Sequence, residues 1–145
     1  MWSAIASVLL GALGWFATSF FAKPLLEFIN LKSEVLEEMI FSANIDALSE
    51  GLPIYKTAVE SLRRLGAKVL ATDVTAPWLL RKFLDLWGYD LHTAGSNLIG
   101  LSNSLNVKGR YLHADKIETS LLLPRTSSDE FIDTIKRQIQ QDRGL

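Results

Sequence analysis

The chain has no cysteine, which removes disulfides, thiolate metal sites and thiol nucleophiles together and fits a reducing compartment without establishing one. Histidine is scarce too, with only His92 and His113. Neither sits in a Glu-x-x-His or His-Glu-x-x-His spacing, and there is no Gly-x-Ser-x-Gly elbow and no phosphate-binding glycine loop. The two histidines can be grouped on paper with Asp90, Asp115 and the Glu34, Glu37, Glu38 cluster, but no ligand spacing supports a metal site. No catalytic residue, metal or cofactor is expected, and the chain reads as non-enzymatic. An excess of one charge is also missing: 15 basic against 16 acidic side chains offer no overall attraction to nucleic acid. The segment 78–87, a turn and 90–105 have the outline of a helix-turn-helix, yet the second helix carries no Lys or Arg to contact phosphate or guanine. Strand-like alternation is absent as well, which predicts an all-α fold: one N-terminal transmembrane helix and a small helical bundle of five to six helices.

Charge is absent from residues 1–22 altogether, because every charged side chain lies between positions 23 and 143. As a helix, 22 residues reach roughly 33 Å, close to the roughly 30 Å hydrocarbon core of a bilayer. A cleaved signal peptide would want a basic start and a small-x-small cleavage site, and Phe20, Phe21, Ala22 is a poor approach to one. A buried core helix would show a polar stripe, and only Ser3, Ser7, Thr18 and Ser19 carry hydroxyls here. The segment is therefore expected to be a membrane anchor. Lys23 and Lys32 follow it, which places the remaining chain on the cytoplasmic side of the inner (plasma) membrane. Ser3, Ser7, Gly11, Gly14 and Thr18 recur at spacings of four, four, three and four, a face of small residues along which a second helix can approach. Such residues are also common in any transmembrane helix, so the pattern alone does not require self-association.

Pro24 predicts either a bend at the membrane surface or a helix that ends and restarts. Residues 23–44 then read as an amphipathic juxtamembrane stalk, with Leu25, Phe28, Ile29, Val35, Leu36, Met39 and Ile40 on one side. A turn around Gly51 leads to Pro53, where the helical domain, 53–145, begins. Its first helix carries Tyr55, Ala58, Val59, Leu62, Leu65, Val69 and Leu70 on one face, and Arg63, Arg64 and Lys68 on a face that reads as solvated rather than anion-binding. Thr75, Ala76 and Pro77 read as the start of the next helix and Gly88 as its stop. That helix is apolar over a wide arc and is expected at the centre of the bundle. Its second reading is an interfacial helix anchored by Trp78, Trp87, Arg81 and Lys82.

Asp90 is expected to cap the following helix, in which Ser96, Gly100 and Ser104 repeat every four residues beside Asn97 and Asn103. This face is expected to pack closely, either inside the domain or against a partner. A helix over 111–123 ended by Pro124 and a last one opened by the Ser127, Glu130 capping-box spacing complete the chain. The expected partners are the lipid bilayer and either copies of the same chain or other membrane-complex subunits. The expected role is an adaptor or subunit acting through helix association; the rival is an oligomeric effector whose N-terminal helices form or disrupt a pore.

Overall fold

The structure, a computed structural model, describes residues 2–43, 45, 51–105 and 110–124, with side chains from position 6 onward. Among them every regular element is helical. The first is α1 (Trp2–Ala17), which passes through a π-helical turn (Thr18–Ala22) into α2 (Lys23–Ala43) without interruption. The described residues contain one helix long and apolar enough to cross a membrane. Its apolar window, within Ala6–Ala43, has a mean hydropathy of 1.4 and no part buried, unlike the core helix of a soluble domain.

The helix neither ends nor restarts at Pro24. Proline has no N–H for the carbonyl of Phe20, and its ring would press on that carbonyl in an α-helix. The π turn answers both problems by widening the backbone just before it, with the Lys23 N–H donating to the Thr18 carbonyl five residues back. The Thr18 hydroxyl donates to the Gly14 carbonyl at 2.9 Å in the turn before.

The bundle is built around α3 (Pro53–Thr75) and α5 (Leu91–Asn103), flanked by α2 and by α6 (Arg110–Ser120). Pro53 opens α3 at its first turn, where the missing N–H costs nothing. From α2, Phe28, Leu31, Val35 and Met39 enter the core; from α3, Ala58, Leu62, Leu65 and Val69; from α5, Leu98 and Leu101; from α6 and the turn that follows it, Ile117 and Leu121. The buried stripe of α2 is rotated from the expected one, since Ile29 and Ile40 face outward and Leu31 inward. At the α3–α5 crossing the two backbones touch. A Cβ on Gly66 would stand 2.9 Å from the Gly95 carbonyl oxygen, and one on Gly95 would stand 3.0 Å from the Gly66 carbonyl oxygen. Only glycine fits on both sides.

The expected central helix, α4 (Trp78–Leu86), is peripheral. It sends Leu80 and Leu84 into the core and leaves Trp78 72%, Leu86 84% and Trp87 61% exposed. Its apolar arc is wider than the space the α3–α5 pair offers it. Thr75 does not cap this helix either: it is the last residue of α3, and its hydroxyl donates to the Ala71 carbonyl. Pro77 occupies the cap position without a side-chain bond, while Arg81 reaches back to donate to the Val74 carbonyl at 2.9 Å, satisfying an otherwise open group at the end of α3. Gly88, at φ +81°, ends α4 as expected, and the Tyr89 N–H returns to the Leu84 carbonyl.

α6 stops short of Pro124. Leu122 takes a left-handed φ of 50°, and the Leu123 N–H closes on the Glu118 carbonyl at 2.8 Å. The turn holds because it is tied twice: Asp90 N–H to the Ser120 carbonyl, and Lys32 Nζ to the Leu122 carbonyl. Arg110, at the other end of α6, donates to the carbonyls of Ala43 and Ile45 and so closes the far end of α2. The expected last helix, opened by Ser127 and Glu130, lies outside the described residues.

Two outcomes follow from this packing. Alanine is a better helix former than glycine by about 1 kcal/mol, so a bulkier branched residue is the sharper probe of the crossing. Gly95→Val is expected to cost about 2 kcal/mol or more through overpacking, lowering the thermal midpoint of the purified protein by roughly 8–16 °C; an unchanged midpoint contradicts the contact. Asp90 caps α5 through a 2.8 Å bond from the Thr93 N–H, and that bond, aided by the Thr93 side chain and nearby His92, holds its carboxyl below the ordinary 3.8. Asp90→Ala is expected to cost about 1 kcal/mol at neutral pH. Because the folded-state pKa is depressed, this contribution is complete above 3.8 and lost as pH falls through the lower folded value. Denaturant midpoints of the two proteins should therefore differ at pH 7 and converge in strong acid.

Candidate functional site

The small-residue face of α1 is open along its glycines. A Cβ at Gly11 or Gly14 would meet nothing within 4 Å, and positions 6–18 are exposed throughout. Ser7 engages in an interaction of its own, Thr18 bonds back to Gly14, and the side chain of Ser3 lies outside the described ones. No other element of the described bundle covers this face at Gly11 and Gly14.

The second face, on α5, is covered in part by the chain itself. The Asn97 carboxamide oxygen lies 2.9 Å from His113 Nδ1 on α6, and its amide donates to the Thr93 carbonyl. A Cβ on Gly100 would stand 2.6 Å from the same imidazole ring. Ser104 turns its hydroxyl to the Gly100 carbonyl, and Asn103 accepts from Arg63 of α3 at 2.7 Å. Ser96 and Asn103 remain exposed. The repeat thus seats α6 against α5 at Gly100, and the surface left for a partner narrows to its two ends.

The third surface gathers where the anchor meets the bundle. Phe21, in the π turn, meets Phe83 of α4 edge to face at 5.3 Å between centroids, and Phe83 lies 5.5 Å from Trp87. Beside them a groove of about 400 Å³ is lined by Leu25, Ile29, Phe83, Trp87, Tyr89 and Leu123. Tyr89 is fixed by an edge contact with Phe28 and by Lys32, which donates to its hydroxyl. Trp87, which lines it, is exposed, as are Leu26 of α2 and Leu86 of α4, while Trp78, Arg81 and Lys82 line a separate hollow of α4 with Ala76 and Asp85. Apolar side chains exposed singly are ordinary, but a contiguous patch next to an apolar helix marks a place of association.

Among the described residues the polar side chains engage separate partners. His92 stands 3.8 Å from Asp73, and His113 belongs to Asn97. Lys68 pairs with Glu34 at 2.7 Å, and Ser61 donates to Glu38, so the α2–α3 seam uses up two members of the acidic cluster. Among the described residues no group of three or more His, Asp or Glu is placed to hold a metal ion.

Comparison with family models, with curated proteins and with solved structures finds no match. The reading of this chain therefore rests on its own geometry. Sequence spacing alone missed the Gly66–Gly95 crossing, because Gly66 lies among charged neighbours and Gly95 one position from the more regular Ser96, Gly100, Ser104 repeat.

The Gly100 contact is open to a direct check. Gly100→Leu in the otherwise unchanged chain is expected to destabilise by about 2–3 kcal/mol as the side chain meets the His113 ring. Adding His113→Ala should return a measurable part of that loss, a non-additivity that chemical denaturation of the four proteins of the cycle reads out.

Proposed function

We propose that this chain is a single-pass membrane protein whose N-terminal helix anchors a cytoplasmic helical domain, and that it works without catalysis as an adaptor or subunit of a membrane complex. The observation that carries the reading is the charge-free run of 1–22, helical from position 2, exposed throughout 6–18 and continuous with a bundle that has a buried core of its own. A soluble chain would leave that apolar surface in water at a cost of about 25 cal/mol per Å². Lys23 directly after the run, with Arg81 and Lys82 on the helix that packs against the π turn, supports the cytoplasmic side for the bundle.

Association is assigned to the Gly11 and Gly14 face, since helices in lipid come together through close packing of small residues rather than through a hydrophobic force. Partners are further copies of the chain or the spans of other subunits.

In membranes carrying the full-length chain, crosslinking is expected to trap a discrete oligomer or hetero-complex, and Gly11→Leu is expected to abolish it. Gly11 touches nothing in the bundle, so the far-ultraviolet spectrum and thermal midpoint should stay as they were. Unchanged crosslinking in Gly11→Leu removes this face from the reading, and recovery of the unmodified chain as a soluble monomer overturns the anchor.

A further inference from the structure

The exposed apolar flank of α4 runs along one side of the helix. At 100° per residue, Leu86, Leu79, Phe83 and Trp87 fall within about 100° of arc, adjoining the arc that buries Leu80 and Leu84 in the core. Leu86 and Trp87 are the exposed members and Leu79 and Phe83 the half-buried ones. The flank is continuous with the apolar anchor: Phe83 rests on Phe21, the last aromatic residue before the first charge of the chain, and Phe83 and Trp87 share a groove with Leu25 and Ile29 of α2. Trp78 is exposed on the same helix, and Lys82 follows Leu86 around its circumference toward solvent.

We infer that this flank of α4 is a membrane-docking surface, seated at the boundary between headgroups and acyl chains, and that it fixes the bundle in one orientation against the bilayer. The inference rests on the reading that residues 1–22 span the membrane. Given that span, a helix packed on residues 18–22 stands at the depth where the chain leaves the hydrocarbon. Trp87 suits that depth because an indole has an apolar body and one donor N–H. Lys82, exposed next to Leu86 on the helix circumference, suits an anionic headgroup layer. Asp85, the one acidic residue of α4, lies on the side away from the flank, beside Trp78 and Arg81, so no carboxylate has to enter the lipid. A protein occupant would need apolar surface at the same depth, whereas lipid is supplied by the position of the anchor itself.

The cysteine-free chain allows single labels to report each surface. Nitroxides are placed at Leu86→Cys on the flank, at Leu10→Cys in the anchor, and at Tyr111→Cys beside Arg110 at the far end of α2, all exposed positions. The full-length protein is reconstituted in vesicles of phosphatidylcholine and phosphatidylglycerol, and collision with oxygen is compared with collision with a water-soluble nickel chelate. The expected result is an oxygen-to-nickel ratio at Leu86 several-fold above that at Tyr111 and approaching that at Leu10. A lipid-like Leu10 with a water-like Leu86 overturns the docking and leaves the anchor standing. A Leu86 label shielded from both quenchers assigns the flank to protein, a second copy or a subunit, and overturns the lipid assignment. A water-like Leu10 removes the span and the docking with it. In a separate variant, Leu86→Asp is expected to bring a label at position 87 (Trp87→Cys) into water while the chain still pellets with the vesicles; a label that stays in lipid overturns the proposal.

Discussion

The backbone contact between Gly66 and Gly95 is the constraint on which the rest of the bundle depends. Two helices that meet carbonyl to Cα at their crossing stand closer than side-chain packing allows, and every neighbouring layer is set by that spacing. Leu62, Val69, Leu98 and Leu101 are buried because the helices that carry them are held near enough to interdigitate. Leu80 and Leu84 of α4 reach the core, while Trp78 and Trp87 stay exposed.

Around that crossing the chain ends its helices with side-chain contacts from other elements. Arg110 closes the end of α2, Arg81 the end of α3, and Lys32 the turn after α6. A helix leaves its last carbonyls open, and a cation that fills one both satisfies the group and ties two elements together. These bonds explain why an architecture with few ion pairs among its described residues still has defined corners.

Helix content and most helix boundaries were legible from spacing and punctuation. Pro53, Gly88 and Asp90 act where their chemistry places them, as first-turn residue, left-handed stop and cap. Boundaries set by tertiary bonds were not legible. Pro124 is the stronger breaker on paper, yet α6 turns four residues earlier because Asp90 and Lys32 hold its end from other helices. The choice between a central and a peripheral α4 was equally hidden, since an apolar arc has the same periodicity whether protein or something else lies against it. Of the surfaces proposed for contact, the α1 face stays open at Gly11 and Gly14, where no described element competes for it. The α5 face was readable only as a close contact, and its occupant, the His113 ring, comes from a helix with no marked amphipathic pattern to announce it.

The π turn at Thr18–Ala22 lets proline sit inside a helix that stays unbroken from position 2 to position 43. A swivel is thereby missing between α1 and the bundle. Val35 and Met39, deep in the bundle, belong to the same rod as Gly11 and Gly14. Under the proposal that this rod crosses a bilayer, tilt or axial rotation imposed on it by a thicker membrane or a neighbouring span would turn the bundle through the same angle, as a crank turns with its shaft.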